Sequence, residues 1–239
     1  MIRLATLLFV ASALMLAAPR NVFAGDRAVA RVVSFGGACS RCELSGRKLV
    51  GAQFIGAKFT GASMVGADLR GSRFVGSNFD NADLSRADLR QAGMTGASFA
   101  GANLTGAKLQ GAELRGVNLS AAKLADAGLD KAGLMGASLS GADARRASFR
   151  DASLQGSILN GGLFEGADFQ GADLTGALIG GTDLSKAQGL QQSQLEEACG
   201  DARTRLPNKL VARGCASVQI LLRRPGGRAP SSSATDVRP

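Results

Sequence analysis

Four cysteines, Cys39, Cys42, Cys199 and Cys215, and a series of aspartates are the residues of this 239-residue chain best suited to chemistry. Cys39-Ser40-Arg41-Cys42 has the spacing of a thiol–disulfide pair. The chain has no histidine. No Ser-His-Asp or Cys-His arrangement can therefore be built, and haem attachment after Cys42 is excluded. Zinc would need more ligands than the two thiols provide. A redox Cys-x-x-Cys also needs a helix start beside a βαβ unit. Asp68, Asp83, Asp88, Asp168 and Asp173 each stand directly before a large apolar residue. Paired carboxylates do acid–base work only where a cleft shifts their pKa values. Gly101 to Lys108 comes within one residue of a phosphate-binding loop, a near-match that a glycine-rich repeat generates by chance.

An unusual period marks the architecture that carries these residues. Every fifth position from Leu44 to Leu184 is Leu, Phe, Met or Ile in 28 of 29 cases, and Ala144 is the exception. On a helix, five residues at ~100° each define no face, and in a continuous strand an odd spacing alternates sides. The period fits a chain that runs briefly extended and then turns, which is a solenoid. Two residues before each large one stands Ala in 21 cases, so a small and a large side chain both point inward and the residue between them points out. Two residues after the large one stands Gly in 20 of 29 cases. Glycine suits a tight turn there, whereas in helices these glycines would together cost about 20 kcal/mol.

Ala67-Asp68-Leu69-Arg70-Gly71, Ala82-Asp83-Leu84-Ser85 and Ala102-Asn103-Leu104-Thr105-Gly106 resemble the A(D/N)LxG signature of the pentapeptide repeat proteins. The resemblance implies an all-β fold, a right-handed quadrilateral β-helix with four pentapeptides to a coil. About seven coils then make a tube roughly 34 Å long at a strand spacing of ~4.8 Å. Phenylalanines recurring at twenty, as in Phe59, Phe79 and Phe99, agree with stacked coils. Similar proteins often begin with Cys-x-x-Cys leading into the first repeat, which favours a structural role for Cys39 and Cys42. The tube separates the two cysteine pairs by far more than the ~7 Å between α-carbons that a disulfide spans. The expected disulfides are therefore Cys39 with Cys42 and Cys199 with Cys215, bracing ends where a solenoid exposes core and strand edges.

The termini speak to location. Met1-Ile2-Arg3, an apolar run from Leu4 to Ala18 and Val22-Phe23-Ala24 read as a secretory signal over residues 1–24. The expected site of action is the periplasm or the exterior, with no stable membrane anchor after cleavage. Residues 25–41 read as a lead-in, 42–187 as the repeat and 188–222 as a C-terminal cap. Within the cap, Ser193-Gln194-Leu195-Glu196 reads as a capping box opening a helical run to Cys199, with Gly200 as its stop, and Ser217 to Leu222 as a strand. Residues 223–239 read as a disordered basic tail.

From Leu44 to Leu184 there are 14 basic and 13 acidic residues, so the tube is nearly neutral, while residues 185–239 carry 9 basic and 4 acidic. Family members that mimic DNA and bind gyrase need a strongly acidic surface and a place in the cytoplasm, and this chain is expected to have neither. No nucleic-acid partner, cofactor or metal is expected. The remaining reading is a non-catalytic scaffold that binds a protein partner or a second copy of itself, with thiol–disulfide redox chemistry as the alternative.

With four repeats to a coil, the outward residues sort into four sides. The side centred on Leu49, Leu69 and Leu89 carries nine charges, among them Asp68, Arg70, Asp88, Arg90, Arg150 and Asp168, and is expected to stay hydrated. The side centred on Phe59, Leu139 and Ile179 carries only Lys58 and Asp80, both near one end. Its Ser138, Ser140, Ile158, Asn160 and Leu178 form the candidate interaction face, because depletion of charge marks interface cores.

Overall fold

The computed structural model describes residues 33–35, 37–207 and 209–215. The expected signal over 1–24, the strand from Ser217 to Leu222 and the tail over 223–239 lie outside the described residues.

Each pentapeptide makes one side of a square coil. Its middle residue bridges, in parallel, to the residue 20 positions on, as in Asp68 to Asp88 and Ser138 to Ile158, so four pentapeptides close a coil. The large residue and the small one before it fill the interior, and both Ala67 and Leu69 are completely buried. The chain turns at a corner by a bond of the kind that joins the Ala67 N–H to the Met64 carbonyl at 3.0 Å, but at the corner after Phe54 the Ser77 hydroxyl stands between, accepting from the Ala57 N–H at 3.2 Å and donating to the Phe54 carbonyl at 3.3 Å. The residue before the Ala67 donor, Gly66, has φ 61°, the positive angle a type II turn demands. Among the described residues nine other than glycine hold the same conformation, including Asn81, Arg86, Asp126 and Arg146.

Coil stacks on coil through main-chain bonds in both directions: the Leu69 N–H reaches the Asp88 carbonyl at 2.8 Å, and the Asp68 N–H reaches the Arg47 carbonyl at 2.8 Å. Stacking also aligns the aromatic rings. Phe59 lies on Phe79 at 4.9 Å and Phe79 on Phe99 at 4.7 Å, with ring planes 12° and 2° apart. A second ladder joins Phe149 to Phe169 at 5.1 Å.

The ladder begins before the five-residue register does. Strand β1, Val33–Phe35, pairs in parallel with β2, Gln53–Ile55, and Ala38 bridges to Lys58. At the other end the expected helix is displaced. Helix α1 runs Gln192–Leu195 with Gln191 as its N-cap, and neither begins at Ser193 nor reaches Cys199. The reason is the open end of the last coil. Gln194 turns its side-chain amide onto the carbonyls of Phe169 and Ala172, at 2.8 and 2.7 Å, and its Oε1 accepts the Gln191 N–H. Leu195 and Ala198 then enter the core. Cys199 and Gly200, expected to end a helix, form strand β3 and resume the ladder. Cys199 bridges to Leu178, 21 residues back, and Arg205 bridges to Asp183. Strand β4, Arg213–Gly214, adds one more parallel layer on β3.

Candidate functional site

The middle residue of every pentapeptide on one side stands in a single column: Lys58, Asn78, Ser98, Asn118, Ser138, Ile158, Leu178 and then Cys199, each bridged to the next. Ile158 and Leu178 are therefore stacked neighbours, half-buried side by side on the outer surface. The residues after each large one form a parallel column in which Ser140 is half-buried and Asn160 exposed. The five residues of the candidate face thus lie together on the C-terminal half of one side.

Polar groups on this side are bonded largely to one another. The Ser120 and Ser138 hydroxyls are 2.9 Å apart, the Ser138 hydroxyl donates to the Ser140 oxygen at 3.3 Å, and the Gly180 N–H donates to Asn160 Oδ1 at 2.7 Å. A polar group already partnered within the protein costs less to remove from water than a free one. The side is accordingly cheaper to desolvate than its Ser and Asn content implies.

The two edges of this side are bare. One is formed by Gly56, Gly76, Gly96, Gly116, Gly136, Gly156 and Gly176, all at positive φ. The other, over the same C-terminal half, is formed by Gly141, Gly161 and Gly181. Just beyond these edges stand Met135, 43% exposed, and Leu163, 48% exposed. Sorting residues by side misses both. The unbroken run of glycine at every twentieth position from Gly56 was the available signal, since it leaves the surface without a rim of side chains.

The charged side is built differently. Arg70 grips Asp68 through two bonds of 2.8 Å, Arg90 holds Asp88 and Arg150 holds Asp168. The side-chain hydrogen bond from Arg70 holds the Asp68 carboxyl below its ordinary value, and Arg90 does the same for Asp88. Charged corner residues flank this side, and at one of them Arg146 pairs with Asp126 at 2.7 Å. Covering it would strip water from ion pairs that gain little from each other in exchange.

Disulfides sit at both ends, Cys39 with Cys42 at a Cα separation of 5.3 Å and Cys199 with Cys215 at 4.8 Å. The Cys39–Cys42 pair lies in a turn between the bridged residues Ala38 and Glu43, away from any helix start among the described residues. Among those residues no group of three or more His, Cys, Asp or Glu is placed to hold a metal ion, and no helix is long and apolar enough to cross a membrane.

The chain belongs to the pentapeptide repeat family. The family described as Pentapeptide repeats matches it in eight copies, over residues 39–76, 72–111, 112–151 and 147–185. Among solved structures it is similar to HetL, a pentapeptide repeat protein involved in heterocyst differentiation regulation from Nostoc sp. strain PCC 7120, at 28% identity over 71% of this chain and 86% of that one, with a TM-score of 0.47. A pentapeptide repeat protein of the Arabidopsis thaliana thylakoid lumen is 31% identical over 47% of this chain and 64% of its own, with a TM-score of 0.35. QnrB1, a plasmid-mediated fluoroquinolone resistance protein, is 20% identical over 73% of this chain and 91% of its own, with a TM-score of 0.38. No curated protein matches the chain.

Proposed function

We propose that this protein is an exported, non-catalytic scaffold, a right-handed β-helix of about seven coils, whose neutral side binds a protein partner or a second copy of itself. The observation that carries this reading is the stacked column Ser138, Ile158 and Leu178, lying uncharged between two glycine edges. A flat strip without a rim, with its hydroxyls already paired, accepts another surface at low desolvation cost. Export is supported by the basic and apolar start of the chain and by two cysteine pairs suited to an oxidising compartment. The redox alternative lacks the helix start that lowers a thiol pKa. The gyrase-binding alternative lacks an acidic surface, since the tube is nearly neutral and the whole chain carries a net charge of +9.

The test is photocrosslinking in intact cells, with the reactive side chain placed at Ser140 in one variant and at Arg150 in another. Adducts from position 140 and none from position 150 are expected. Equal adducts from both, or none from either, would reject the neutral side as the site. N-terminal sequencing of the mature protein tests export separately: a chain that begins after Ala24 agrees with it, and one that retains Arg3 contradicts it.

A further inference from the structure

Burial falls away abruptly within the C-terminal cap. Leu195 and Ala198 are completely buried, and β3 is tied to the coil beneath it, the Cys199 N–H donating to the Ala177 carbonyl at 2.9 Å and the Ile179 N–H to the Cys199 carbonyl at 2.8 Å. Residues 209–215 lie over this layer as a strap. Val211 is 65% exposed, Arg213, Gly214 and Cys215 are exposed too, and Leu210 and Ala212 meet the core only half-buried. Leu195 and Val211 line a cavity of about 510 Å³, Leu190 and Leu210 line one of about 820 Å³, and Gln192 lines both. With so little apolar surface removed from water, burial contributes little to holding the strap.

Polar bonds and one covalent bond hold it instead. Gln192 imitates a neighbouring strand: its Nε2 donates to the Val211 carbonyl at 3.0 Å and its Oε1 accepts the Val211 N–H at 3.1 Å. Further on, β4 pairs with β3, and the Cys215 N–H donates to the Gly200 carbonyl at 3.0 Å. Exposed bonds of this kind compete with water and stabilise weakly. The disulfide between Cys199 and Cys215, 16 positions apart, is the strong fastener, since a cross-link confines the released chain more the longer the loop it closes. The Cys39–Cys42 pair spans only 3 positions, and the ladder grips it through its main chain: the Cys39 N–H donates to the Lys58 carbonyl at 2.7 Å and the Ser63 N–H to the Cys42 carbonyl at 2.8 Å. Breaking that pair leaves its segment in place.

We propose that residues 209–215 are a redox latch, closed while Cys199 and Cys215 are bonded and released when a dithiol reduces them. Cys215 is exposed and Cys199 half-buried, which makes Cys215 the accessible partner. A thiolate of the reductant bonds to the Cys215 sulfur, Cys199 leaves as a thiolate and is protonated, and the second reductant thiol then displaces Cys215, which is protonated in turn. The reductant ends as a disulfide and the protein as two thiols, so two electrons and two protons have passed between them. Release lifts Arg213 from the column that carries Ile158, Leu178 and Cys199. That column then ends in the open edge of β3, where another strand can pair, instead of in a cation.

Amide exchange in the full chain, with and without dithiothreitol, tests the latch. Reduction should speed exchange at Val211 by at least about tenfold while leaving Ile179, bonded beneath β3, unchanged. The variant C199S/C215S should exchange at Val211 as fast without reductant as the reduced parent does, and should not respond to reductant. Val211 exchange indifferent to reduction, or slow in C199S/C215S, would overturn the proposal, because Gln192 and packing would then hold the strap unaided. Acceleration at Ile179 equal to that at Val211 would overturn it as well, because the cap would then be unfolding rather than unlatching.

Discussion

The ring of Phe164 occupies the space that a β-carbon on Gly162 would need: that atom would lie 2.6 Å from Cε2 of Phe164 and 3.0 Å from the Leu159 carbonyl oxygen. Gly162 holds the small inward position where most repeats carry Ala, and Ala144, one coil before Phe164, holds a large one. Ring planes here are tilted 56° and 54° to Phe149 and Phe169, unlike the 7° of the stacked pair Phe149 and Phe169. The two departures from the repeat therefore belong to one local packing solution. Gly162→Ala is expected to cost about 1–3 kcal/mol by overpacking, read as a lower urea midpoint. Gly133→Ala, whose β-carbon would meet nothing closer than 3.9 Å, should be close to neutral. Equal midpoints for the two would refute the packing account.

Corner residues follow a second rule. At several corners that are not glycine, the side chain lies over a glycine corner of the next coil, as with Asn81, Arg86, Gln91, Arg146 and Asp151. A β-carbon on Gly101 would fall 2.7 Å from Asn81 Oδ1, and Arg86 Cγ lies over Gly106 in the same manner. Gly101 is also at φ 66°, so Gly101→Ala should destabilise by about 1–2 kcal/mol from the left-handed conformation. Ala121, at φ 55°, should gain from Ala121→Gly by up to about 1 kcal/mol, since the strain relieved exceeds the entropy added. Thermal melts followed by circular dichroism read both signs. A stabilising Gly101→Ala would show that these corners do not hold the positive angle.

Stability should respond to acid and not to the neutral range. Hydrogen bonds from Arg70, Arg90 and Arg145 hold the carboxyls of Asp68, Asp88 and Asp143 below their ordinary value of 3.8. The Arg203 side chain, with the Gly181 N–H, holds Asp201 lower still. A carboxyl depressed in the folded state contributes its stability fully above the unfolded value and loses it as pH falls below. With no histidine in the chain, the melting temperature should be flat between about pH 5 and 8 and fall below about pH 4. Asp201→Asn should lower it at pH 7 and flatten the acid limb. A fall between pH 7 and 5 would contradict this assignment.

The core was legible because its register is written in side-chain size: Leu, Phe or Met at every fifth place and Ala two before it can be buried together in only one way. The candidate side was legible for the same reason, since an outward residue keeps its side as long as the register holds. The end was not. Ser193 and Glu196 have the types of a capping box, but the helix starts where Gln194 can meet the carbonyls of Phe169 and Ala172, a demand set by the coil beneath. The ladder at Cys199 was hidden by an insertion of one residue, which breaks a pattern read at fixed spacing. Met135 and Leu163 were missed because they lie across a corner from the candidate side, where only the absence of glycine side chains makes them its neighbours.

Whether the neutral side binds is decided by a triple substitution on it. Ser138→Lys, Ile158→Lys and Leu178→Lys together place three like charges along one ladder column while leaving every inward residue and main-chain bond in place. Crosslinking in intact cells and sedimentation of the purified chain should both lose the associated species, with the circular dichroism spectrum and melting behaviour of the tube retained. Unchanged crosslinks and unchanged sedimentation in a folded triple variant would contradict the claim.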